Sequence, residues 1–191
     1  METKMLMIAI VCAAAAGFAA LGQAVKAEAA VAAEPAKILI AYYSYSGNTK
    51  AVAEQIQKAT GGEIFEIKPA KAYPASYNEC VDQAKKECGE GFKPQLAGAL
   101  PDVSKYDVVF VGTPNWWGTM APPVLSFLSA RNFAGKTVIP FMTHGGGGVQ
   151  RCEADIRKAA PKAAFGKIGV FSGNGGSSVA GWIKEVVTVK R

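Results

Sequence analysis

The chain has 191 residues, a formal net charge of +6 and a pI of about 9.1. It has no run of Lys and Arg and no basic stripe with interleaved aromatic residues, so we expect a solvated basic surface and no nucleic-acid partner. One histidine and no Cys-x-x-Cys pair argue against a metal site.

The first 29 residues have the pattern of a Sec secretory signal. Lys4 precedes an apolar stretch over residues 5–21, and the small residues up to position 29 suit a signal peptidase. Neither a twin-arginine pair nor a lipobox before Cys12 is present. We therefore predict a signal peptide over 1–29, a linker over 30–36 and one domain over 37–191, exported to the periplasm or the extracellular space. The alternative is an uncleaved segment, which would attach the protein to a membrane.

Three cysteines, Cys80, Cys88 and Cys152, lie beyond the predicted signal, in a compartment that permits disulfides. Cys80 and Cys88 fall on one predicted helix, where a rise of 1.5 Å per residue separates their Cα atoms by about 12 Å. They cannot bridge each other at that distance. Whether either one pairs with Cys152 stays open, as does the oligomeric state.

Five apolar runs alternate with five helical patterns along the predicted domain. The runs cover residues 37–43, 63–67, 107–112, 137–142 and 167–171, and they are nearly continuous, as in buried parallel strands. The helical patterns cover residues 49–59, 76–87, 122–130, 149–159 and 178–187. This alternation predicts an α/β fold with a doubly wound parallel sheet of five strands. Ligands bind such sheets outside the carboxyl ends of the strands.

The loop after the first predicted strand is rich in hydroxyl groups and leads into a helix. Unpaired N–H groups and the helix dipole favour an anion at a helix start. Ser44, Ser46 and Thr49 can donate hydrogen bonds to the same anion, and Gly47 allows close approach of the backbone. A serine that merely caps an ordinary helix is the alternative.

Two further loops follow the third and fourth predicted strands. Residues 113–120 contain the adjacent Trp116 and Trp117, which suggest a flat partner for stacking, although they could instead fold back onto the core. Residues 143–148 contain four consecutive glycines after His144, whose bare backbone can line a ligand. Together the three loops predict a pocket for a planar ring joined to a phosphate, which is the outline of FMN.

These motifs resemble those of flavodoxins, and the resemblance covers nearly the whole predicted domain. Residues 44–49 match the phosphate loop of that family, residues 106–118 its third strand and first ring loop, and residues 143–148 its second ring loop. The short connection after residue 171 resembles the short-chain type. The resemblance implies a three-layer flavodoxin-like fold with strand order 2-1-3-4-5 and non-covalently bound FMN.

The resemblance also implies roles for particular residues. The phosphate would bind Ser44, Ser46, Asn48 and Thr49, and the ring would stack on Trp117, which precedes a glycine as in the Trp-Gly pair of the family. The carbonyl of Gly118 would accept a hydrogen bond from the reduced ring. The predicted cofactor-binding residues are Ser44, Tyr45, Ser46, Gly47, Asn48, Thr49, Thr113, Pro114, Asn115, Trp116, Trp117, Gly118, Thr143, His144, Gly145, Gly146 and Gly147.

The chain departs from typical electron-carrying flavodoxins, which are acidic and place carboxylates near the ring. A pI of about 9.1 and the absence of acids in residues 118–123 predict a less negative potential for full reduction of the flavin. We expect an electron carrier serving a redox partner protein or a small-molecule acceptor. The alternative is an NAD(P)H-dependent FMN or quinone reductase of the same fold, and a second alternative is a flavin-free binding or sensing domain.

Two other patterns resemble catalytic or nucleotide-binding motifs but lack residues or elements that those motifs require. His144 and its glycines resemble an esterase oxyanion motif, but the chain lacks a Gly-x-Ser-x-Gly elbow and a second histidine. Lys136 in a Gly-Lys-Thr triplet resembles the end of a P-loop, but a strand is predicted where a helix should follow. We therefore predict no catalytic side chains.

Overall fold

A computed structural model describes residues 36–188, which belong to one compact unit. The predicted signal peptide and all but the last residue of the predicted linker lie outside the described residues. Among residues 36–188, no helix is both long and apolar enough to span a bilayer.

The fold alternates strands and helices, in the order β1 (Ile38–Tyr42), α1 (Asn48–Thr60), β2 (Glu63–Glu66), α2 (Tyr77–Glu90), a short 3₁₀ helix (Val103–Lys105), β3 (Val108–Trp116), β4 (Thr119–Met120), α3 (Pro122–Ser129), β5 (Thr137–His144), α4 (Cys152–Ala159), β6 (Ala164–Phe165), β7 (Gly169–Ser172) and α5 (Ser178–Thr188). The predicted α/β class is confirmed. Each predicted helix is present, although α4 begins at Cys152, three residues later than the pattern indicated.

The parallel part of the sheet has the order β2-β1-β3-β5, and β6 and β7 both pair with β5. β6 and β7 together take the place of the predicted fifth strand, so the predicted order 2-1-3-4-5 is confirmed. The short β4 adds an antiparallel hairpin to the carboxyl end of β3, which extends that strand into the predicted tryptophan loop.

Both faces of the sheet are buried, which explains the continuous apolar runs. In β1, Leu39 and Ala41 face the core formed with α2, α3 and α4, while Ile40 and Tyr42 face the core formed with α1 and α5. Successive side chains of a strand point to opposite faces, so neither set can be polar. This three-layer packing places the carboxyl ends of β1, β3 and β5 side by side at one edge.

Candidate functional site

The hydroxyl-rich loop connects β1 to α1 at this edge. Helix α1 begins at Asn48 after Gly47, whose φ is 89°, and no side chain caps its first turn. The N–H of Gly47 donates to Oγ of Ser44 over 3.1 Å, and Nδ2 of Asn48 donates to Oγ of Ser46 over 3.2 Å. Ser46, Gly47 and Asn48 are exposed, so the uncapped helix start is accessible to an anion.

Thr49 lies deeper and joins two of the loops. Its hydroxyl is hydrogen-bonded to that of Thr143 over 2.8 Å, and both side chains are buried. The start of α1 is therefore tied directly to the end of β5. A hydrogen bond from Thr49 to an anion would be made in addition to the bond between the Thr49 and Thr143 hydroxyls.

The tryptophan loop is a two-residue hairpin turn between β3 and β4. Trp117 and Gly118 have φ values of 54° and 83°, as a type I′ turn requires. A left-handed conformation costs a residue other than glycine about 1–2 kcal/mol. Trp117 is nonetheless 48% exposed, so the strain of this turn is not offset by burial in the core.

The two tryptophans have different surroundings. Trp116 makes edge contacts with Tyr43, Tyr45 and Tyr73 at centroid distances of 5.5, 5.9 and 4.8 Å. Trp117 lies against α2, where its Nε1–H donates to the carbonyl of Val81 over 3.1 Å and Nζ of Lys85 lies 5.1 Å from the ring centroid. Trp116 is therefore part of an aromatic cluster. The ring of Trp117 is fixed by its hydrogen bond to α2 but stays accessible to solvent.

The glycine loop continues from β5. The N–H of Gly146 donates to Nδ1 of the half-buried His144 over 3.0 Å, and the φ values of Gly146 and Gly148 are 130° and 68°. A Cβ added at Gly145 would touch nothing within 4 Å. Bare backbone therefore faces open space beside the tryptophan turn.

The three loops and α2 enclose a cavity of about 510 Å³. The predicted residues that line it are Tyr45, Ser46, Asn48, Pro114, Asn115, Trp116, Trp117, Thr143, His144 and Gly145. A smaller cavity of about 320 Å³ adds Gly118 and Gly147 to Asn115, Trp117, His144 and Gly145. Ten residues predicted from three separate segments thus surround one cavity.

Other predicted residues lie around this cavity without lining it. Ser44, Gly47 and Thr49 belong to the first loop but do not line the cavity, and Gly146 is likewise outside its lining. Thr113 is fully buried, and its hydroxyl accepts the N–H of Ala121 over 2.9 Å, which holds the start of α3.

The fourth wall of the cavity was not predicted. It is formed by α2, through Tyr77, Cys80, Val81 and Ala84. These positions have the i, i+3, i+4, i+7 spacing of one helix face, a pattern that marks a shared face but does not distinguish a cavity wall from a face packed on the core. Tyr77 is 72% exposed and adds a second accessible aromatic ring to the rim.

Within residues 36–188, the cavity has no carboxylate in its lining. Among the described residues, no Asp, Glu, Lys or Arg lines it, and the nearby Lys85 lies over the ring of Trp117 at its rim. Burial raises the pKa of the Cys80 thiol and of the Tyr43 phenol, so both are neutral at pH 7. The residues that line the cavity therefore offer hydrogen bonds and aromatic surface, without an ionised nucleophile.

A larger groove of about 660 Å³ lies between the end of α2, β4 and α4. Two of its carboxylates have partners within the fold: Glu87 accepts from Tyr73 and Gln83, and Asp155 accepts from Thr119 and Arg151. Of the three predicted loops, only the tryptophan loop reaches this groove, through Thr119 and Met120, whereas all three loops line the cavity of about 510 Å³. We therefore take the cavity at the carboxyl ends of β1, β3 and β5 as the functional site.

The three cysteines beyond the predicted signal peptide lie in the described part of the chain. Cys80, Cys88 and Cys152 are free thiols. Between residues 36 and 188, no group of three or more His, Cys, Asp and Glu side chains could hold a metal ion.

The comparison with known families identifies this architecture. A family model described as Flavodoxin matches residues 37–186. The chain belongs to the flavodoxin family. The match spans every strand and nearly all of the last helix.

Solved structures of flavoproteins have the same fold. A protein from Bacteroides uniformis described as a flavoprotein is 31% identical, with a TM-score of 0.72 over 79% of this chain and 99% of the other. A flavoprotein from Lactobacillus acidophilus, whose structure is a complex with FMN, is 26% identical, with a TM-score of 0.61 over 71% of this chain and 93% of the other.

A curated relative is named as an enzyme. An NAD(P)H dehydrogenase (quinone) from Cupriavidus metallidurans is 30% identical over 99 residues, which cover 48% of this chain and 45% of that protein. The flavodoxin-family chain thus matches less than half the length of this relative.

Proposed function

We propose that this flavodoxin-family protein binds FMN in the cavity and transfers electrons between redox partners outside the cytoplasm. The observation that carries the proposal is Trp117, whose backbone has a strained positive φ and whose ring is accessible. It lines the same cavity as the uncapped start of α1. Strained residues concentrate at functional sites. The FMN complex of the Lactobacillus acidophilus relative supports the same ligand.

The donors of the cavity suit both parts of FMN. Ser46, Asn48 and the first-turn N–H groups of α1 would hold the phosphate, because they are accessible and carry no negative charge. Trp117 would stack on the ring, and the exposed backbone at Gly145 would bond its polar edge. Bound FMN supplies the ability to accept and release one or two electrons.

Trp117 is better suited to stacking than Trp116. The ring of Trp116 is already surrounded by Tyr43, Tyr45 and Tyr73, whereas Trp117 has Lys85 near its ring and stays about half exposed. Its hydrogen bond to Val81 fixes the orientation of the indole. The strained backbone of Trp117 is then explained by its function, because this turn conformation holds the indole ring in position for the cofactor.

The protein sets the potential mainly through charge. A carboxylate near the ring would oppose the negative charge gained on reduction, and none lines the cavity in the described part of the chain. Lys85 favours that charge from the rim. The carbonyl of Gly118 accepts the N–H of Arg151 over 3.1 Å, and its second lone pair could accept the predicted hydrogen bond from the reduced ring.

The second candidate function is an NAD(P)H-dependent quinone reductase, which the similarity to the Cupriavidus metallidurans enzyme favours. The test is to load the purified protein with FMN and add NADH or NADPH with a quinone. We expect stable FMN binding with slow nucleotide oxidation. Rapid quinone-dependent oxidation would make the protein a reductase, and failure to bind FMN would leave a flavin-free binding domain.

Export is part of the proposal and rests on the sequence of residues 1–29. Expression of the full chain in a bacterial host, followed by mass determination of the protein from the periplasmic fraction, tests it. We expect a mature chain that begins near residue 30. A cell-associated protein of full mass would indicate a membrane-attached or retained form instead.

A further inference from the structure

The side chain of Asn115 bonds both loops that would contact the ring. Its Nδ2 donates to the carbonyl of Gly148 in the glycine loop over 2.7 Å. Its Oδ1 accepts the N–H of Gly118 in the tryptophan turn over 2.9 Å. One half-buried amide therefore joins the tryptophan turn to Gly148, which lies 33 residues after Asn115 in the chain.

A second contact crosses the same gap, because the N–H of Arg151 donates to the carbonyl of Gly118 over 3.1 Å. Next to it, Nε2 of Gln150 donates to the carbonyl of Gly147 within the glycine loop over 3.2 Å. Gln150 has a φ of 43° and is, with Trp117, one of two residues other than glycine with positive φ among those described. The space between the loops is the smaller cavity, of about 320 Å³.

The glycine loop needs such a restraint if it is to bind tightly. Glycine loses more backbone freedom on ordering than any other residue, and a loop that orders only when the ligand arrives loses affinity. A contact that holds the loop before binding removes that loss. Asn115 is placed to do so because its amide bonds the backbone of both loops and leaves their surfaces open.

We propose that Asn115 is a positioning residue: its amide fixes the separation of the tryptophan turn and the glycine loop, so that the slot for a planar ring is formed before the ligand binds. The inference rests on the proposed FMN function. It gives Asn115 a role through Gly118 and Gly148, in place of the direct cofactor contact that the family resemblance implies.

The decisive variant is Asn115→Asp. It keeps the acceptor for Gly118 but places a second oxygen against the carbonyl of Gly148. An ionised carboxylate cannot donate, whereas a protonated carboxyl can. We expect FMN affinity to fall at least about tenfold near pH 8, because one lost charged or buried hydrogen bond is worth about that factor, and to recover as the pH is lowered toward about 4, the ordinary pKa of an aspartate. The Asn115→Ala variant should bind FMN weakly at every pH, because alanine can neither donate to Gly148 nor accept from Gly118.

Two controls separate the positioning role of Asn115, which we call the clamp, from simple charge effects. Riboflavin lacks the phosphate, so the clamp predicts that Asn115→Asp weakens riboflavin and FMN equally, whereas repulsion of the phosphate would weaken FMN alone. Asn132→Asp makes the same change at the opposite edge of the sheet, where Oδ1 of Asn132 accepts the N–H of Ala134, and should leave binding unchanged. Affinities are compared with wild type at each pH, because His144 lines the same slot and Lys85 lies at its rim.

A readout without flavin completes the test. Hydrogen exchange of the Gly118 amide in the apoprotein should be slow in wild type and in Asn115→Asp, and at least about tenfold faster in Asn115→Ala. If wild type binds FMN and Asn115→Asp binds it equally at every pH, the clamp is wrong and the FMN site stands. If wild type does not bind FMN, the proposed function fails, and unchanged Gly118 exchange in Asn115→Ala would overturn the clamp independently.

Discussion

The loops at the amino ends of the strands (the amino edge) and those at their carboxyl ends (the carboxyl edge) differ in how their backbone groups are bonded. At the amino edge, side chains complete the turns: Asp102 accepts the N–H of Ser104, Asp107 accepts that of Lys37, and Arg131 donates to the carbonyls of Leu100, Pro101 and Ala130. At the carboxyl edge, α1 begins without a side-chain cap and Trp117 and Gln150 have positive φ. The carboxyl edge therefore differs in two respects: the first-turn donors of α1 have no side-chain cap, and both described residues other than glycine with positive φ lie there, as is typical of a ligand site.

The largest effect that this contrast predicts comes from charge in the first loop. Ser46→Glu places a carboxylate beside the proposed phosphate, so FMN affinity should fall by about 100-fold or more. Riboflavin affinity should not change. Fluorescence titration with both flavins measures the two constants.

Ser104→Glu is the matched control, because Ser104 is an exposed serine at the amino edge. It should leave both affinities unchanged. Equal binding of FMN by wild type and Ser46→Glu would show that the phosphate lies elsewhere.

The next largest effect concerns Trp117 and distinguishes a role in FMN binding from a role in the stability of the fold. Trp117→Gly should weaken FMN binding by about 10- to 100-fold, because stacking on an aromatic ring is worth about 1–3 kcal/mol. The free energy of unfolding of the apoprotein should stay within about 1 kcal/mol of wild type, because the lost contacts of an exposed ring are offset by relief of the left-handed conformation. Denaturant unfolding with and without FMN measures both.

Gly135→Ala gives the opposite result at the amino edge. Gly135 has a φ of 73° and open space around it, so the substitution should cost about 1 kcal/mol of stability by strain alone. FMN affinity should not change. A Trp117→Gly protein that loses several kcal/mol of stability would mean that Trp117 is a structural residue.

A smaller effect concerns the potential of the bound flavin. Lys85→Gln removes the positive charge over Trp117 and should lower the potential for full reduction by tens of millivolts, an effect that falls as salt is added. Lys136→Gln, at the amino edge, removes a lysine that bonds the carbonyl of Ser104 and should cause no shift. A spectroelectrochemical titration in which both variants behave alike would rule out a local role for Lys85.

The smallest effect is on stability at high pH and involves the amino edge. Burial and the Glu63 carboxylate raise the pKa of Tyr106 from 10.0 to about 12. A raised pKa stabilises the fold below the pKa of the unfolded chain, and that contribution declines as pH rises from about 10 toward 12. Tyr106→Phe should therefore unfold with a smaller loss of stability over this range, as measured by denaturant unfolding. An identical decline in wild type and variant would contradict this.

The sequence predicted the sheet and three of the four walls of the cavity for simple reasons. Strands buried on both faces are continuously apolar, and loops that need open backbone or hydroxyl donors are marked by glycine and serine. The hydroxyl loop, the tryptophan pair and the glycine loop therefore stood out as local patterns. Strand order followed from the resemblance to flavodoxins and was confirmed by the pairing of β1 with both β2 and β3.

The remaining features depend on contacts between distant residues. The face of α2 that includes Tyr77 and Cys80 is an ordinary mixture that could equally face the core, so its spacing did not indicate a cavity. The bond between Asn115 and Gly148 joins residues whose proximity only the pairing of β3 with β5 creates. Gln150 falls within a predicted helix that in fact begins at Cys152, because residues 149–151 instead turn toward Gly118.

The most direct test of the account is a fluorescence titration of FMN with the purified wild-type protein. We predict quenching of flavin fluorescence that saturates at one FMN per chain, with weaker binding of riboflavin because it lacks the phosphate that the start of α1 would hold. Absence of quenching at micromolar protein would contradict the assignment of the carboxyl edge as a flavin site. Equal affinities for FMN and riboflavin would contradict the role given to the first loop.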